Sequence, residues 1–197
     1  MNISIIGAGA IGAAIARLVV DAGLNVSLAN SRGPESLATL VAELGPLAQA
    51  VTARQASQAD IVFLAVNWSK IPKAVEGLGP WEGRIVVDTN NPIEAPLFKP
   101  LDLNGKTSSH VVAELLPGAR LVKGFNHLAP RLLTNPNAEG GRRVLFYAGD
   151  HVEAKQKVAE LITRLGFFGI DLGSLQQGLL AQFPDGPIPG LNLVKHD

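Results

Sequence analysis

A glycine-rich turn near the start of the chain constrains its fold more than any other feature. The apolar segment 2–6 runs directly into Gly7-Ala8-Gly9-Ala10-Ile11-Gly12, and an alanine-rich helical stretch follows. Small residues here allow a tight turn at Gly7, close approach of the main chain to a pyrophosphate at Gly9, and close helix packing at Gly12. The pattern predicts a dinucleotide-binding turn, with the phosphates at the helix N-terminus and no basic side chain needed in the turn.

The context of the motif decides how much it means, because similar turns also serve only for close packing of a helix on a strand. Here an apolar strand precedes the glycines, and a second strand over Asn25–Ala29 follows the helix. This is a complete βαβ unit. Nucleotide binding is therefore favoured over a purely structural turn.

The rest of the chain alternates apolar runs with amphipathic helical stretches. We predict strands over 48–51, 60–66, 84–88, 120–125, 142–148 and 168–171, and helices over 10–22, 35–44, 71–78, around 111–116, and over 151–165. Pro92, Pro96 and Pro100 predict an irregular segment to about residue 105, and the tail from Gly173 combines an apolar helical piece with many Pro and Gly residues.

This alternation is typical of an α/β fold. We expect a Rossmann-type doubly wound parallel sheet, with right-handed crossovers and a ligand crevice at the carboxyl ends of its strands. The expected organisation is a single NAD(P)-binding domain over residues 1–197. Its core would be residues 1–125, and residues 126–197 would form a C-terminal strand–helix–strand extension.

Composition excludes several classes of function. Seventeen basic and seventeen acidic residues give a net charge of zero, which argues against nucleic acid as a partner. No apolar run is long enough to span a membrane, and the start of the chain lacks a signal-peptide pattern. With no cysteine there is no thiolate nucleophile or disulfide. From these features we expect a cytoplasmic location. We also expect no metal site, because His110 and Glu114 lack a third ligand. Arg142 and Arg143 are expected to lie on a solvated edge.

The end of the second strand points to the form of the cofactor. An NAD-selective site has an acidic residue there for the ribose 2′-hydroxyl, but this chain has Asn30-Ser31-Arg32. A hydroxyl and a guanidinium suit an adenosine 2′-phosphate, so NADP(H) is the predicted cofactor. The alternative is a capping loop with a solvated arginine.

Three further strand ends should meet at the crevice. They are Ala65-Val66-Asn67-Trp68, Thr89-Asn90-Asn91-Pro92 and Gly124-Phe125-Asn126-His127. They contribute amides, an indole and an imidazole but no evident nucleophile or carboxylate pair, so we assign no catalytic side chain and predict hydride transfer by positioning. Asn126 and His127 are the candidates on the acceptor side.

Structural roles remain possible for several of these residues. Asn90 and Asn91 could form an Asx turn before proline, and Trp68 could be a packing residue at a helix start. For His127, contact with a ligand and a structural hydrogen bond are equally open.

Taken in order, these segments resemble a known family. The glycine turn, Asn30-Ser31-Arg32, Thr89-Asn90-Asn91-Pro92, Val122-Lys123-Gly124-Phe125-Asn126 and Ile170-Asp171-Leu172-Gly173 are similar to those of the NADPH:F-420 oxidoreductases. They are also similar to the cytosolic reductase domain of the six-transmembrane epithelial antigen of prostate proteins. The resemblance extends to about Leu175, and the tail beyond it departs from the deazaflavin enzymes.

The resemblance implies a homodimeric Rossmann protein that exchanges hydride between NADP(H) and a flavin or deazaflavin co-substrate. Carried over by position, residues 7–12 would hold the pyrophosphate, Ser31 and Arg32 the 2′-phosphate, and Asn67, Trp68, Asn90, Pro92 and Asn126 the nicotinamide. Two alternatives are a non-catalytic NADP sensor and a relative of the β-hydroxyacid dehydrogenases or pyrroline-carboxylate reductases. The latter enzymes append a helical domain where this chain continues with strand, helix and strand.

Overall fold

Short apolar strands form the centre of the fold, and those in the middle of the sheet are buried on both faces. The structure, a computed structural model, describes residues 1–94 and 99–196. The strands are β1 Ile3–Ile6, β2 Val26–Ala29, β3 Ala48–Ala50, β4 Ile61–Leu64, β5 Ile85–Asp88, β6 Ile93–Glu94, β7 Lys99–Pro100, β8 Arg120–Gly124, β9 Asn137–Ala138, β10 Gly141–Gly149, β11 Phe168–Asp171 and β12 Val194–His196.

Amphipathic helices cover both faces of the sheet, because each carries an apolar stripe that must be buried against it. The α-helices are α1 Ala10–Asp21, α2 Ala38–Leu44, α3 Ala53–Ala56, α4 Ile71–Val75, α5 Ser108–Glu114, α6 Pro130–Leu133 and α7 Val152–Arg164, with 3₁₀ helices at Pro34–Leu37, Trp68–Lys70 and Leu175–Ala181. None of the helices in the described part of the chain has both the length and the hydrophobicity that a transmembrane span requires.

The main sheet has the strand order β11-β10-β8-β5-β4-β1-β2-β3. The six strands from β8 to β3 are parallel, so their carboxyl ends lie along one edge. Two apolar clusters fill the space on either side of the sheet, one around Ile15, Phe63 and Phe125 and the other around Leu64 and Trp81. The predicted Rossmann-type α/β fold is confirmed.

The sheet is not parallel throughout. β10 runs antiparallel to β8, and β11 then pairs parallel to β10. Between β8 and β10 lie the four-residue helix α6 and the two-residue strand β9, which are too short to return the chain across the sheet. β10 therefore starts at the carboxyl edge, and the predicted strand–helix–strand extension is present with reversed direction.

Several short elements differ from the sequence prediction. β12 pairs with β10, so the tail ends in a strand that its composition did not indicate. The segment predicted to be irregular contains the β6–β7 pair, while Pro96 lies outside the described residues. Arg143 was wrongly placed on a solvated edge, because it is buried and its Nε donates to the Asn135 carbonyl over 2.9 Å.

Candidate functional site

The glycine turn lies where β1, β4 and α1 meet. Gly7 has a φ of +107°, and a Cβ there would come within 2.1 Å of the Ala65 carbonyl oxygen. A Cβ on Gly12 would come within 1.9 Å of the Gly7 carbonyl oxygen. Both glycines are thus required by the packing of the protein itself.

Gly9 is different, because nothing in the described protein requires a glycine there. Its φ is −78°, and a Cβ would meet no atom within 4 Å. Gly9 is also the N-cap of α1 without a side-chain cap, and the first backbone bond back to this end comes from Ala13 N–H. The exposed main chain at Gly9 and Ala10, with its free N–H groups, is suited to a phosphate that approaches closely.

The loop after β2 lies beside this turn, because Gly7 N–H donates to the Ala29 carbonyl over 2.8 Å. Asn30 shapes the loop, since its side-chain oxygen accepts from Arg32 N–H over 2.9 Å and its amide donates to the Ser36 hydroxyl over 2.9 Å. Ser31 and Arg32 are exposed, and neither side chain forms a hydrogen bond or ion pair within residues 1–94 and 99–196. The loop therefore offers a free hydroxyl and a free guanidinium next to the glycine turn.

The segment after β4 has mixed roles. Ala65 packs against the glycine turn, as the space around Gly7 shows, and Val66 N–H donates to the Asn90 side-chain oxygen over 3.2 Å. Asn67 is exposed at the start of the 3₁₀ helix, whereas Trp68 packs partly on the apolar cluster around Leu64. The packing interpretation of Trp68 is therefore supported for part of its ring.

Asn90 is buried and fully bonded to protein groups. Its side-chain amide donates to the Leu64 carbonyl and to Asp88 Oδ1, each over 2.9 Å. Its backbone N–H also donates to Asp88 Oδ1, over 3.0 Å, and its carbonyl accepts from the Lys123 ammonium. Asn90 fixes the shape of the loop after β5 and leaves no side-chain hydrogen-bonding group free.

Asn91 and Asn126 join the ends of β5 and β8, while Pro92 is buried behind them. Asn91 donates to the Asn126 carbonyl over 2.8 Å, and the Asn126 amide donates to the Asn91 side-chain oxygen over 3.1 Å. The Asn126 side-chain oxygen is buried without a hydrogen-bond partner among the described residues. An orphan acceptor of this kind costs free energy unless a donor reaches it, so it fits a ligand amide or a water.

His127 is buried beside Asn126, with its ring edge-on to Phe146 at a centroid distance of 5.1 Å. Burial lowers the pKa of His127 to about 4, and the nearby Val144 backbone opposes this only weakly. Neither ring nitrogen has a hydrogen-bond partner of acceptable geometry in the described chain. The imidazole is therefore neutral near pH 7.

The C-terminal tail, residues 173–196, closes over these strand ends. The Ala181 carbonyl accepts from the Asn126 amide over 2.6 Å, and Phe183 N–H donates to the Asn91 side-chain oxygen over 3.0 Å. Gly190 N–H donates to the His127 carbonyl over 3.3 Å. Sequence reasoning missed this arrangement because its residues are far apart in the chain.

A buried ion pair beneath the crevice was also missed. Lys123 and Asp88 occupy matching positions on β8 and β5, with 3.0 Å between Nζ and Oδ2 and exposed side-chain fractions of 1% and 0%. Burial lowers the pKa of Lys123, and the Asp88 carboxylate opposes that shift. A lysine inside one apolar strand and an aspartate ending its neighbour were the available sequence signal. Within the described residues, no group of three or more His, Asp or Glu side chains could hold a metal ion.

Comparison with known proteins finds a family model that matches the first part of the chain. Residues 2–92 match the family model described as "NADP oxidoreductase coenzyme F420-dependent". The chain is 45% identical to a hypothetical protein from Sinorhizobium meliloti whose crystal structure is known, with a TM-score of 0.94 over 99% of this chain and 96% of that one. It is 26% identical to the structure of a putative F420-dependent NADP-reductase from Arthrobacter, with a TM-score of 0.75 over 88% and 85% of the two chains.

A curated relative gives a second point of comparison. Over 178 residues the chain is 30% identical to the metalloreductase STEAP3 of Rattus norvegicus. The aligned segment makes up 88% of this chain and 34% of that protein. The chain thus spans about a third of the length of the curated relatives that it matches.

Proposed function

We propose that the chain, whose residues 2–92 match the model of the coenzyme F420-dependent NADP oxidoreductases, is an NADP-dependent oxidoreductase of that family and transfers hydride between NADP(H) and a flavin, deazaflavin (F-420) or similar planar acceptor. The observation that carries the proposal is the open space over Gly9 at the uncapped start of α1. A ligand phosphate there would account for a glycine that the protein itself does not require.

The loop after β2 supports the phosphorylated form of the cofactor. Ser31 and Arg32 are exposed beside the glycine turn and have no protein partners in the described residues. A 2′-phosphate between them would gain charge-assisted hydrogen bonds, which an arginine forms well through two parallel N–H groups. No acidic side chain ends β2 to favour a ribose 2′-hydroxyl instead.

The strand ends support the nicotinamide half of the site. The buried, unpartnered oxygen of Asn126 could accept from the carboxamide NH₂ of the ring, and this bond would satisfy it. In that case Asn90, Asn91 and Pro92 hold the wall behind the ring, and Asn67 and Trp68 border it. We assign these contacts to the residues by position.

The chemistry requires no acid or base from the chain. When bound, NADPH supplies a hydride from its nicotinamide C4, which reduces the acceptor while a solvent proton balances the charge. His127 is neutral and buried, so it would not deliver a proton as an imidazolium near pH 7. What the protein contributes is orientation of two flat rings and exclusion of water between them.

The test is oxidation of NADPH by the purified protein, followed by the loss of nicotinamide absorbance, with riboflavin, FMN, coenzyme F-420 or ferric citrate as acceptor. We expect turnover with a flavin or the deazaflavin, and faster turnover with NADPH than with NADH. Turnover with ferric citrate alone, or no turnover with any planar acceptor, contradicts the proposed acceptor class. Tight NADP(H) binding without any turnover would instead indicate a cofactor sensor.

We include a cytoplasmic homodimer in the same proposal. Several large apolar side chains are exposed along the tail, and a group of exposed apolar side chains is typical of a surface that contacts another molecule. They are Leu179, Leu180, Phe183, Leu191 and Leu193. Light scattering after gel filtration should give twice the chain mass, and a monomer at micromolar concentration would contradict the homodimer.

A further inference from the structure

The Asp88–Lys123 ion pair lies directly under the loop that we assign to the nicotinamide. The two residues face each other across β5 and β8, in the last row of the sheet before its carboxyl edge. Ala29, Ile6 and Leu64 occupy the same row on the neighbouring strands and are apolar. Two charges in this buried row are costly to desolvate and need a specific set of partners.

The partners of the pair are found in the crevice loop and in α5. Lys123 Nζ donates to Asp88 Oδ2 over 3.0 Å, to the Asn90 carbonyl, and to the Ser108 hydroxyl over 3.3 Å. Asp88 Oδ2 also accepts from the Ser109 hydroxyl over 3.1 Å. Every charged atom of the pair therefore has a hydrogen-bond partner in the protein.

The same network determines the backbone of Asn90. Asp88 Oδ1 accepts from both the backbone and the side chain of Asn90, while Lys123 binds the Asn90 carbonyl from below. The following residue, Asn91, then pairs with Asn126. Because Asn90 is held at its N–H, its carbonyl and its side chain, the course of the loop into Asn91 depends on both charges.

The network also reaches the tail. Ser108 N–H donates to the Gln182 side-chain oxygen over 3.2 Å, and the neighbouring Ala181 and Phe183 bind Asn126 and Asn91. The tail is thus anchored on both sides of the ion pair. By contrast, none of the hydrogen bonds or ion pairs of Asp88 and Lys123 reaches residues 7–12 or 30–32.

We propose that Lys123 and Asp88 are positioning residues for the nicotinamide half of the cofactor site, which they hold in shape through Asn90 and the tail without contributing to the adenosine half. This inference rests on the proposed function. It assigns to a buried ion pair a role in ligand geometry in addition to its role in stability.

The experiment compares two ligands on the same variants by calorimetric titration. NADPH occupies both halves of the site, whereas 2′,5′-ADP carries the adenosine and its 2′-phosphate without a nicotinamide. For Lys123→Met we expect NADPH affinity to fall tenfold or more while 2′,5′-ADP affinity stays within twofold. The enhancement of nicotinamide fluorescence on binding should also be lost. A folded variant that binds both ligands like the wild type, or loses both equally, overturns the proposal.

A double variant keeps the test decisive if Lys123→Met fails to fold. Asp88→Asn with Lys123→Met leaves no unpaired buried charge, so it should fold more readily. Its loss must remain specific to NADPH, because the bond to the Asn90 carbonyl is still missing, and NADPH affinity equal to the wild type overturns the proposal. Arg54→Ala removes an exposed cation whose hydrogen bond goes to the Gly77 carbonyl, outside the proposed site, and it should change neither constant.

Failure of the proposed function gives a different result. If the wild type has no measurable affinity for NADPH or 2′,5′-ADP, the proposed function is contradicted and this inference falls with it. If the wild type binds both but reduces no acceptor, the hydride-transfer proposal fails while the comparison of binding constants still decides the role of Lys123.

Discussion

The two halves of the candidate site are built in opposite ways. Around Gly9 and Arg32 the surface is open, the side chains of Ser31 and Arg32 lack partners in the described chain, and the residues within each segment are close in sequence. Around Asn90 and Asn126 the side chains are buried and bonded to residues as distant as Ala181. The adenosine half is thus a preformed local motif, whereas the nicotinamide half depends on the assembled tertiary structure.

The largest effect, on the stability of the fold, is expected from removing the ion pair beneath the buried nicotinamide half of the site. Lys123→Met leaves the Asp88 carboxylate buried without its charge partner, and we expect a loss of about 3–5 kcal/mol in the free energy of unfolding. Urea denaturation measures this loss. The double variant with Asp88→Asn should recover a large part of it, and a single variant as stable as the wild type would show that the pair contributes little.

The next effect is a pH dependence from His127. Burial lowers its pKa from 6.5 to about 4, so the unfolded chain binds more protons between these values. The free energy of unfolding therefore has its full value above pH 6.5 and decreases by up to about 3 kcal/mol as the pH drops toward 4. Denaturant melts across this range should show the slope, and His127→Gln should lack this contribution. An unchanged slope in that variant would contradict the assignment.

An effect of similar or smaller size is expected in the open half. Arg32→Ala should weaken NADPH binding by about 1.5–3 kcal/mol, because a hydrogen bond between charged groups is lost, and should barely affect NADH. Calorimetry with both cofactors measures the difference. Arg17→Ala is the matched control on the surface of α1. Equal losses for NADPH and NADH would count against a 2′-phosphate site at Arg32.

The smallest effect should come from a single methyl group. Gly9→Ala adds a Cβ into space that the protein leaves open, so the unfolding free energy should change by less than about 1 kcal/mol. NADPH affinity should nevertheless fall on the order of tenfold, or about 1.4 kcal/mol. Gly12→Ala is the contrasting variant, because its Cβ would strike the Gly7 carbonyl and disturb the fold itself. Undiminished affinity in Gly9→Ala would contradict a phosphate at this position.

The same contrast explains how far the sequence could predict the structure. The glycine turn, β1, β4, β5 and α1 were predictable because their signals are local: apolar runs, glycine spacing and helical periodicity. The direction of β10 and the strand β12 were not, because each is set by pairing with distant residues. In the last third of the chain the predicted strands and helix are present, and the prediction differs from the structure in the direction of β10 and in the added strand β12.

The candidate site shows the same difference between residues with a local sequence signal and residues placed by long-range contacts. Positions 7–12 and 30–32 were identified from spacing, and the structure brings them together at the ends of β1 and β2. The ion pair of Asp88 and Lys123 has no spacing signature, since the two residues are 35 positions apart. Likewise, Arg143 was predicted on a solvated edge, but the tail covers it, because Arg143 pairs with Val194 of β12 and its guanidinium donates to the Asn192 side chain. Contacts of this kind require the three-dimensional structure.

The most direct test of the account is a crystal structure of the protein with NADP⁺. We expect the pyrophosphate over Gly9, the 2′-phosphate between Ser31 and Arg32, and the nicotinamide carboxamide within hydrogen-bonding distance of the Asn126 side-chain oxygen. A cofactor whose adenosine phosphate lies away from Arg32, or whose nicotinamide does not approach Asn126, would contradict the division of the site into these two halves.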